Sequence, residues 1–380
     1  MKVLYITNLT TPYRIDFFNE LGKLCELTVL VESVAVEHRN QDWLSRVKAT
    51  NFKIYCLPGF YKGKEIRLNY GLTSWLKRNQ YDVVVLGGYS TLTAMVAAMI
   101  MRLRRIPYIL NADGGFIGEE GTAKKKIKSF FISAASHWLS SGSITNDYLQ
   151  HYGADPKKIS DYPFTSVKRN DLFDTPTNKL EKQQIRQKLG ITSHFLAISV
   201  GRFIYSKGFD VLIKAWAKAD LPENAGLYII GEGQEEEALR KLVDEQKLLN
   251  VKLVGFMHKE ELEDYYRAAD LFVLPTRGDI WGLVINEAMA CGLPIISTDR
   301  CVSALELVCE NENGYIVPVD DVDALADKLT LISSYSEAQQ IQLGRKSLEK
   351  IEPYTIENMA TIHLKCFREV LKPSANSEGH

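Results

Sequence analysis

The sequence predicts an α/β protein built from two doubly wound, Rossmann-like domains. Three observations carry that expectation. At 380 residues the chain exceeds what one ordinary hydrophobic core organises. Short apolar runs alternate with amphipathic stretches through both halves, the pattern of parallel strands crossed by helices. A polar stretch, Thr165–Thr177, ending Asp-Thr-Pro-Thr, interrupts this rhythm near the middle and reads as a linker.

In the first half, strands are expected at Val3–Thr7, Leu27–Val31, Val83–Leu86, Tyr108–Leu110 and Gly142–Thr145. Helices are expected near Tyr13–Leu24 and Thr91–Leu103. In the second half, strands are expected at Leu196–Val200, Leu227–Ile230, Val251–Leu253, Leu271–Leu274 and Ile295–Ser297. Helices there should cover Gly208–Ala219, Glu235–Leu249, Lys259–Ala268 and Leu283–Ala290. The expected domains are therefore 1–172 and 173–354. A last helix, 356–371, follows the break at Pro353 and is expected to pack on either domain, with a return to the first as one arrangement. Residues 372–380 read as a disordered tail. No internal repeat is visible.

Composition narrows the function. Hydrophobic content of 46% and charged content of 24% are those of a globular protein. The net charge of −1 hides an asymmetry: residues 1–170 carry 23 basic and 14 acidic side chains, and the remainder 23 and 33. A basic lobe suits an anionic partner such as a membrane surface, a lipid phosphate or a charged glycan. No run reaches the roughly 18 apolar residues that span a bilayer. Leu92–Met101 stops short at Arg102, Arg104 and Arg105. The N-terminus lacks the pattern of a signal peptide, so a cytoplasmic protein is expected. The six cysteines form no CxxC pair and no metal-ligand rhythm, and Cys25 and Cys291 read as packed thiols.

The most informative stretch runs from Leu274 to Pro294. A strand ends at Leu274, a loop carries Asp279, and Gly282 opens a helix whose first amides belong to Leu283 and Val284. Such a helix start beside the carboxyl end of a sheet is a phosphate site. Asp279 and Glu287 lie about 12 Å apart at full helical rise, enough to reach both ends of a nucleotide sugar. Carboxylates suit that task because they accept hydrogen bonds from sugar hydroxyls. Upstream, a strand ends at Gly201, and Arg202 and Lys207 flank the loop before Gly208. Two cations there can neutralise a departing diphosphate, although surface Arg and Lys are common. Ile230-Gly-Glu-Gly233 ends another strand with Gly231 and Gly233, a turn that admits close approach.

Together these segments resemble the retaining glycosyltransferases of family 4, which have the GT-B fold of two Rossmann-like domains facing across a cleft. Gly201-Arg202, Lys207-Gly208, Gly231-Glu232-Gly233 and Asp279-x7-Glu287 follow the family's order of motifs. The specific likeness covers about residues 195–330, and the chain resembles bacterial surface-polysaccharide enzymes. The resemblance implies that Arg202 and Lys207 bind the donor diphosphate and that Glu287 holds the ribose. It implies that Asp279, where the family usually has Glu, faces the transferred sugar. It also implies a metal-independent reaction with no cofactor, proceeding with retention by front-face attack, in which the leaving phosphate helps take the acceptor proton.

The acceptor side is harder to read. The loop Asn8–Arg14 offers Thr11, Tyr13 and Arg14, and turn chemistry around Thr11-Pro12 explains it equally well. Gly88 and Tyr89 follow the strand 83–86. Asp113, in Asn111-Ala-Asp-Gly-Gly115, matches the position where relatives often carry a polar residue, frequently His, near the reacting sugar; an Asp-Gly turn is the alternative. Lys124, Lys125, Lys126 and Lys128 precede Ile127, Phe130, Phe131, Ala134 and Trp138, which share a face at helical spacing. Two readings fit: a helix on an anionic membrane surface, and a solvated lysine face over a core helix. No nucleic-acid motif accompanies these lysines.

The expected function is transfer of a hexose or N-acetylhexosamine to a saccharide or lipid-linked acceptor, in polysaccharide or lipopolysaccharide synthesis. The donor would be a UDP-sugar, with a GDP-sugar next, and the enzyme would work in the cytoplasm, with a peripheral place on the inner membrane face as one arrangement. The alternatives weighed are a silent GT-B scaffold subunit, an epimerase and a phosphorylase.

Overall fold

The computed structural model describes residues 1–33, 48–62 and 66–372. The chain divides into two compact units: Met1–Ser166 together with the segment from Tyr354 onward, and Val167–Pro353. The division falls inside the polar stretch 165–177. The expectation of a disordered tail concerns residues that, but for Lys372, lie outside the described ones.

In the first unit the strands are β1 (Lys2–Leu9), β2 (Glu26–Ser33), β3 (Lys53–Cys56), β6 (Val83–Gly87), β7 (Ile109–Ala112), β8 (His137–Ser140) and β9 (Ile159–Asp161). They form one parallel sheet in the order β3-β2-β1-β6-β7-β8-β9. A short antiparallel pair, β4 (Gly59–Lys62) and β5 (Ile66–Asn69), stands apart. The central strands are buried on both faces, which is why Val3–Ile6 and Val83–Leu86 read as continuous apolar runs.

In the second unit β10 (Phe195–Val200), β11 (Ala225–Ile230), β12 (Val251–Val254), β13 (Leu271–Leu274), β14 (Ile295–Thr298) and β15 (Gly314–Val317) form a parallel sheet ordered β12-β11-β10-β13-β14-β15. Each sheet reverses its winding beside its first strand, between β1 and β6 and between β10 and β13. Ligands of doubly wound sheets bind outside the carboxyl ends of the strands at such a point.

Two expectations need correction. Gly142–Thr145 is not a strand. The strand is His137–Ser140, and Ser143–His151 is a helix. The chain changes direction at Gly142, between Ser141 and Ser143, where the hydroxyls of Ser141 and Thr145 pair at 2.8 Å. Ala134 and Trp138 also do not share a helical face with Ile127. The helix Thr122–Ile132 ends at Ser133, and Trp138 lies on β8 with its indole N–H donating to the Ile132 carbonyl at 2.9 Å. Sequence reading also passed over β15 and the helices Val302–Leu307, Val322–Ser333 and Glu337–Ile351.

The helix Ile356–Leu371 belongs to the first unit and packs along Pro12–Leu24. Of its buried residues, Ile356, Met359, Ala360, His363, Leu364 and Phe367 recur at the 3–4 spacing of one helical face, and Cys366 is buried beside them. Among the described residues no helix is long and apolar enough to cross a membrane.

Candidate functional site

The loops after β10 and β13, the two strands at the switch point of the second unit, carry Gly201–Lys207 and Asp279–Gly282. The structure joins them: Lys207 Nζ pairs with Asp279 Oδ2, and both side chains are about four-fifths buried, with 17% and 20% exposed. Two residues 72 positions apart thus form one charged feature beside the sheet. The Lys207 stem lies against Gly201, where a Cβ would sit 3.7 Å from its Cδ and Cε. Arg202 is exposed next to it.

Glycine is needed where these strand ends converge. Gly231 adopts φ +152°, and a Cβ there would sit 1.9 Å from the Gly201 carbonyl oxygen. Gly233 continues the same turn against the Phe203 backbone. At Gly282, φ is +95° and a Cβ would meet Cys301 Sγ at 2.8 Å. This left-handed residue turns the chain into the helix Leu283–Ala290.

Within that helix, Ile285, Asn286, Ala288, Met289 and Ala290 are buried, whereas Leu283, Val284 and Glu287 are only half-buried. The open face is therefore the first turn plus the carboxylate one turn further on. First-turn amides lack intrahelical acceptors, and the helix start carries a partial positive charge of about half an electron. Glu287 is oriented by Tyr266, whose hydroxyl donates to Oε2 at 3.3 Å. Burial first, then the Glu287 charge, hold the Tyr266 phenol protonated.

Sequence reasoning missed the residue that fixes the cation loop. Arg277 forms a bidentate pair with Asp210 at 2.8 and 2.9 Å, donates to Asp320 at 2.7 Å and to the Tyr205 carbonyl at 2.7 Å, and stacks 4.0 Å from the Tyr205 ring. Its backbone N–H and the Thr276 hydroxyl both bind the Ser206 carbonyl, at 2.7 and 2.8 Å. Burial pushes the Asp210 carboxyl up, but the Arg277 hydrogen bonds and charge outweigh it and hold the pKa below its ordinary value. The turn Tyr205–Lys207 is thereby clamped to the loop that carries Asp279. Arg277 is visible in the sequence; its partner, 67 residues earlier, is not marked by any local pattern.

In the first unit, Thr11, Tyr13 and Arg14 follow β1, Gly88 and Tyr89 follow β6, and Asp113 follows β7. Arg14 is buried and paired with Asp113. Asp113 Oδ1 accepts from the Tyr162 hydroxyl at 2.7 Å and from Asn111 Nδ2 at 2.8 Å. Asp113 is thus the centre of a hydrogen-bonded cluster rather than the tip of an isolated turn. Thr11 is buried, and the Tyr13 ring packs edge-on against Phe164 at 5.9 Å. Gly88 has φ +106°, and the Tyr89 hydroxyl meets that of Tyr148.

The lysine run divides. Lys128 pairs with Glu120 at 2.7 Å and lies over the Tyr148 and Tyr152 rings, so it belongs to the fold. Lys124, Lys125 and Lys126 are exposed.

Comparison with known proteins bears on the family and the fold. Residues 181–346 match the family model for glycosyl transferases group 1. An uncharacterized glycosyltransferase of Haemophilus influenzae is 31% identical over 46% of this chain, which spans about half, 49%, of that relative. A D-inositol 3-phosphate glycosyltransferase of Xylanimonas cellulosilytica is 28% identical over 87% of this chain and 73% of its own length. A putative colanic acid biosynthesis glycosyltransferase of Escherichia coli is 33% identical over 41% of this chain and 40% of its own length. Among solved structures, Anabaena HepE in complex with UDP and glucose superposes with a TM-score of 0.73 at 16% identity, covering 98% of this chain and all of that one. WaaG, a glycosyltransferase involved in lipopolysaccharide biosynthesis, gives 0.63 at 16% identity, covering 98% of this chain and all of that one. These likenesses in structure identify the two-domain GT-B fold.

Proposed function

We propose that this chain, a glycosyltransferase whose residues 181–346 are its glycosyl transferases group 1 domain, transfers a hexose or N-acetylhexosamine from a nucleotide-diphosphate sugar. The acceptor is a saccharide or lipid-linked saccharide of polysaccharide or glycoconjugate synthesis. The observation that carries this reading is the union of Lys207 and Asp279 at the switch point of the second sheet. A diphosphate placed there meets Lys207, exposed Arg202 and the Leu283 and Val284 amides. These groups stabilise the charge that develops on the leaving phosphate. Asp279 lies where a sugar hydroxyl needs an acceptor, and Glu287 takes the ribose hydroxyls. No metal and no cofactor enter this scheme, because the two cations and the helix start meet the diphosphate charge. The proposed course is retention by front-face attack, with the leaving phosphate taking the acceptor proton.

Uridine is the favoured base: the Anabaena neighbour of the same fold was solved with UDP. Thermal denaturation with EDTA and UDP, GDP, ADP or TDP tests the donor reading. UDP at a hundredfold excess over its Kd stabilises the folded chain by about 2.7 kcal/mol, and Glu287→Ala removes most of that shift. A shift that needs a divalent cation would overturn the metal-independent scheme. Equal shifts in wild type and Glu287→Ala would remove Glu287 from the site.

A lipid-linked acceptor calls for a membrane contact, and we place it on the basic unit at the inner face of the cell membrane. Leu103, Met99, Ile127 and Phe130 are exposed, Leu103 by 81%. Arg102 lies 4.6 Å over the Phe130 ring, joining the helices Leu92–Leu103 and Thr122–Ile132 in one patch. Arg105, just past the first of these helices, and Lys124–Lys126, on the second, are exposed as well. Apolar tips among cations fit an anionic lipid surface. Sedimentation with phosphatidylglycerol vesicles should capture the chain, and Leu103→Glu combined with Phe130→Glu should lower binding about tenfold. Equal capture by phosphatidylcholine, or by the double variant, would refute this contact.

A further inference from the structure

The helix Ile356–Leu371 supplies a residue to the Asp113 cluster. His363 is 1% exposed, enclosed by the Phe17 and Tyr162 rings at 4.7 Å and the Phe367 ring at 6.1 Å. Its Nε2 lies 3.0 Å from Asn111 Oδ1 and its Nδ1 lies 2.8 Å from the Met359 carbonyl oxygen. Both facing atoms are acceptors, and a neutral imidazole has one proton to donate. Burial pushes the His363 pKa down to about 4, so the ring is neutral near pH 7.

The rest of the cluster decides where that proton sits. Asn111 Nδ2 reaches Asp113 Oδ1 at 2.8 Å and the Tyr162 hydroxyl at 3.0 Å, while Arg14 takes Asp113 Oδ2. Suppose His363 donated to Met359 instead. Asn111 would then turn its NH2 toward Nε2 and present its carbonyl oxygen to the Asp113 carboxylate, acceptor against acceptor. Either tautomer leaves one acceptor pair, but with the proton on Nε2 that pair is two neutral atoms, Nδ1 and the Met359 carbonyl oxygen at 2.8 Å, instead of an amide oxygen against the Asp113 carboxylate, which is the costlier arrangement. The charged and titratable groups around this chain of bonds are Arg14, Asp113, Tyr5 and Tyr162.

We propose that His363, through the amide of Asn111, is a positioning residue for Asp113. The helix that follows the donor-binding unit thereby fixes the rotamer of the acceptor-side carboxylate. The inference rests on the acceptor-side reading of Asp113.

The test uses the full chain labelled with 15N, following the histidine ring nitrogens and the Asn111 side-chain amide by NMR. UDP release from UDP-glucose is measured alongside. In the wild type the protonated nitrogen of His363 is expected to be Nε2. His363→Phe keeps the ring packing and loses the donor. It should shift the Asn111 amide signal and slow UDP release about tenfold at unchanged UDP affinity. His363→Gln carries an N–H for the same oxygen and should restore both to within about threefold. A merely packing role would leave Phe equal to or better than Gln, and that ranking, or an unmoved Asn111 signal, would overturn the proposal. Asp113→Asn separates the two layers. If it leaves UDP release unchanged, the acceptor-side reading fails and the positioning role with it. If it slows release and His363→Phe does not, that reading stands and this inference alone falls.

Discussion

Lys207→Ala is expected to lower the turnover of nucleotide sugar about 100- to 1000-fold, the range seen when one preorganised donor to developing charge is removed. Lys207 is held for that task from three sides. Its stem lies on Gly201, its turn is clamped by Arg277 and Thr276, and its ammonium meets Asp279. Stability should fall as well, by about 1–3 kcal/mol, because the pair is about four-fifths buried and Asp279 loses its partner. The measurement is steady-state UDP release from UDP-glucose, set beside urea unfolding of the same samples. A loss below tenfold would remove Lys207 from the transition state. A loss that tracked unfolding would reassign it to the fold. Lys207→Arg should fall between, because the charge stays while the compact ammonium that fits beside Asp279 does not.

The second large effect is on folding. Gly231→Ala would set a methyl carbon 1.9 Å from the Gly201 carbonyl oxygen and 3.2 Å from Phe203 Cε1, at φ +152°. The nearest obstacle is backbone, not the end of a flexible side chain. That backbone is tied into the sheet, with Gly201 N–H on Ile230 O at 3.0 Å and Gly231 N–H on Val254 O at 2.9 Å. Strain and overlap together are expected to cost about 3 kcal/mol or more. Gly255→Ala, where nothing lies within 4 Å of the added carbon, should change stability by less than about 1 kcal/mol. Hydrogen exchange of the amides in β10 and β11 distinguishes them, because it reads the second unit directly. Equal protection in the two variants would show that the Gly201 carbonyl moves aside freely. The displaced carbonyl neighbours Arg202, so donor affinity should weaken in Gly231→Ala even under conditions where it stays folded.

Much of the second unit was legible in the sequence. Lys259–Ala268 and Leu283–Ala290 appear at the expected bounds, and the five expected strands differ by two residues or fewer. Buried parallel strands and amphipathic helices write themselves as apolar runs and 3–4 spacing, and both are local properties. Glycines past strand ends and the carboxylate pair Asp279 and Glu287 are local as well, so the motif residues could be listed before any fold was known. The first unit was less legible. Between Phe130 and Leu139 apolar residues recur through a helix end and into a strand, and periodicity alone cannot divide such a run.

The sequence by itself determined the alternation of strands and helices, the doubly wound class, and the residue types Arg202, Lys207, Asp279 and Glu287 that suit a phosphate and a sugar. Only the tertiary structure decided which of them meet. It paired Lys207 with Asp279 across 72 residues, clamped their loops through Arg277 and Asp210 across 67, and brought His363 to Asn111 across 252. It also took Lys128 out of the exposed lysine run by giving it Glu120. The reason is physical: a local pattern fixes which face of an element is buried, whereas the partner of a charged side chain is set by strand order and helix packing. Those depend on the summed burial of the whole sheet, and no stretch of the chain carries that sum.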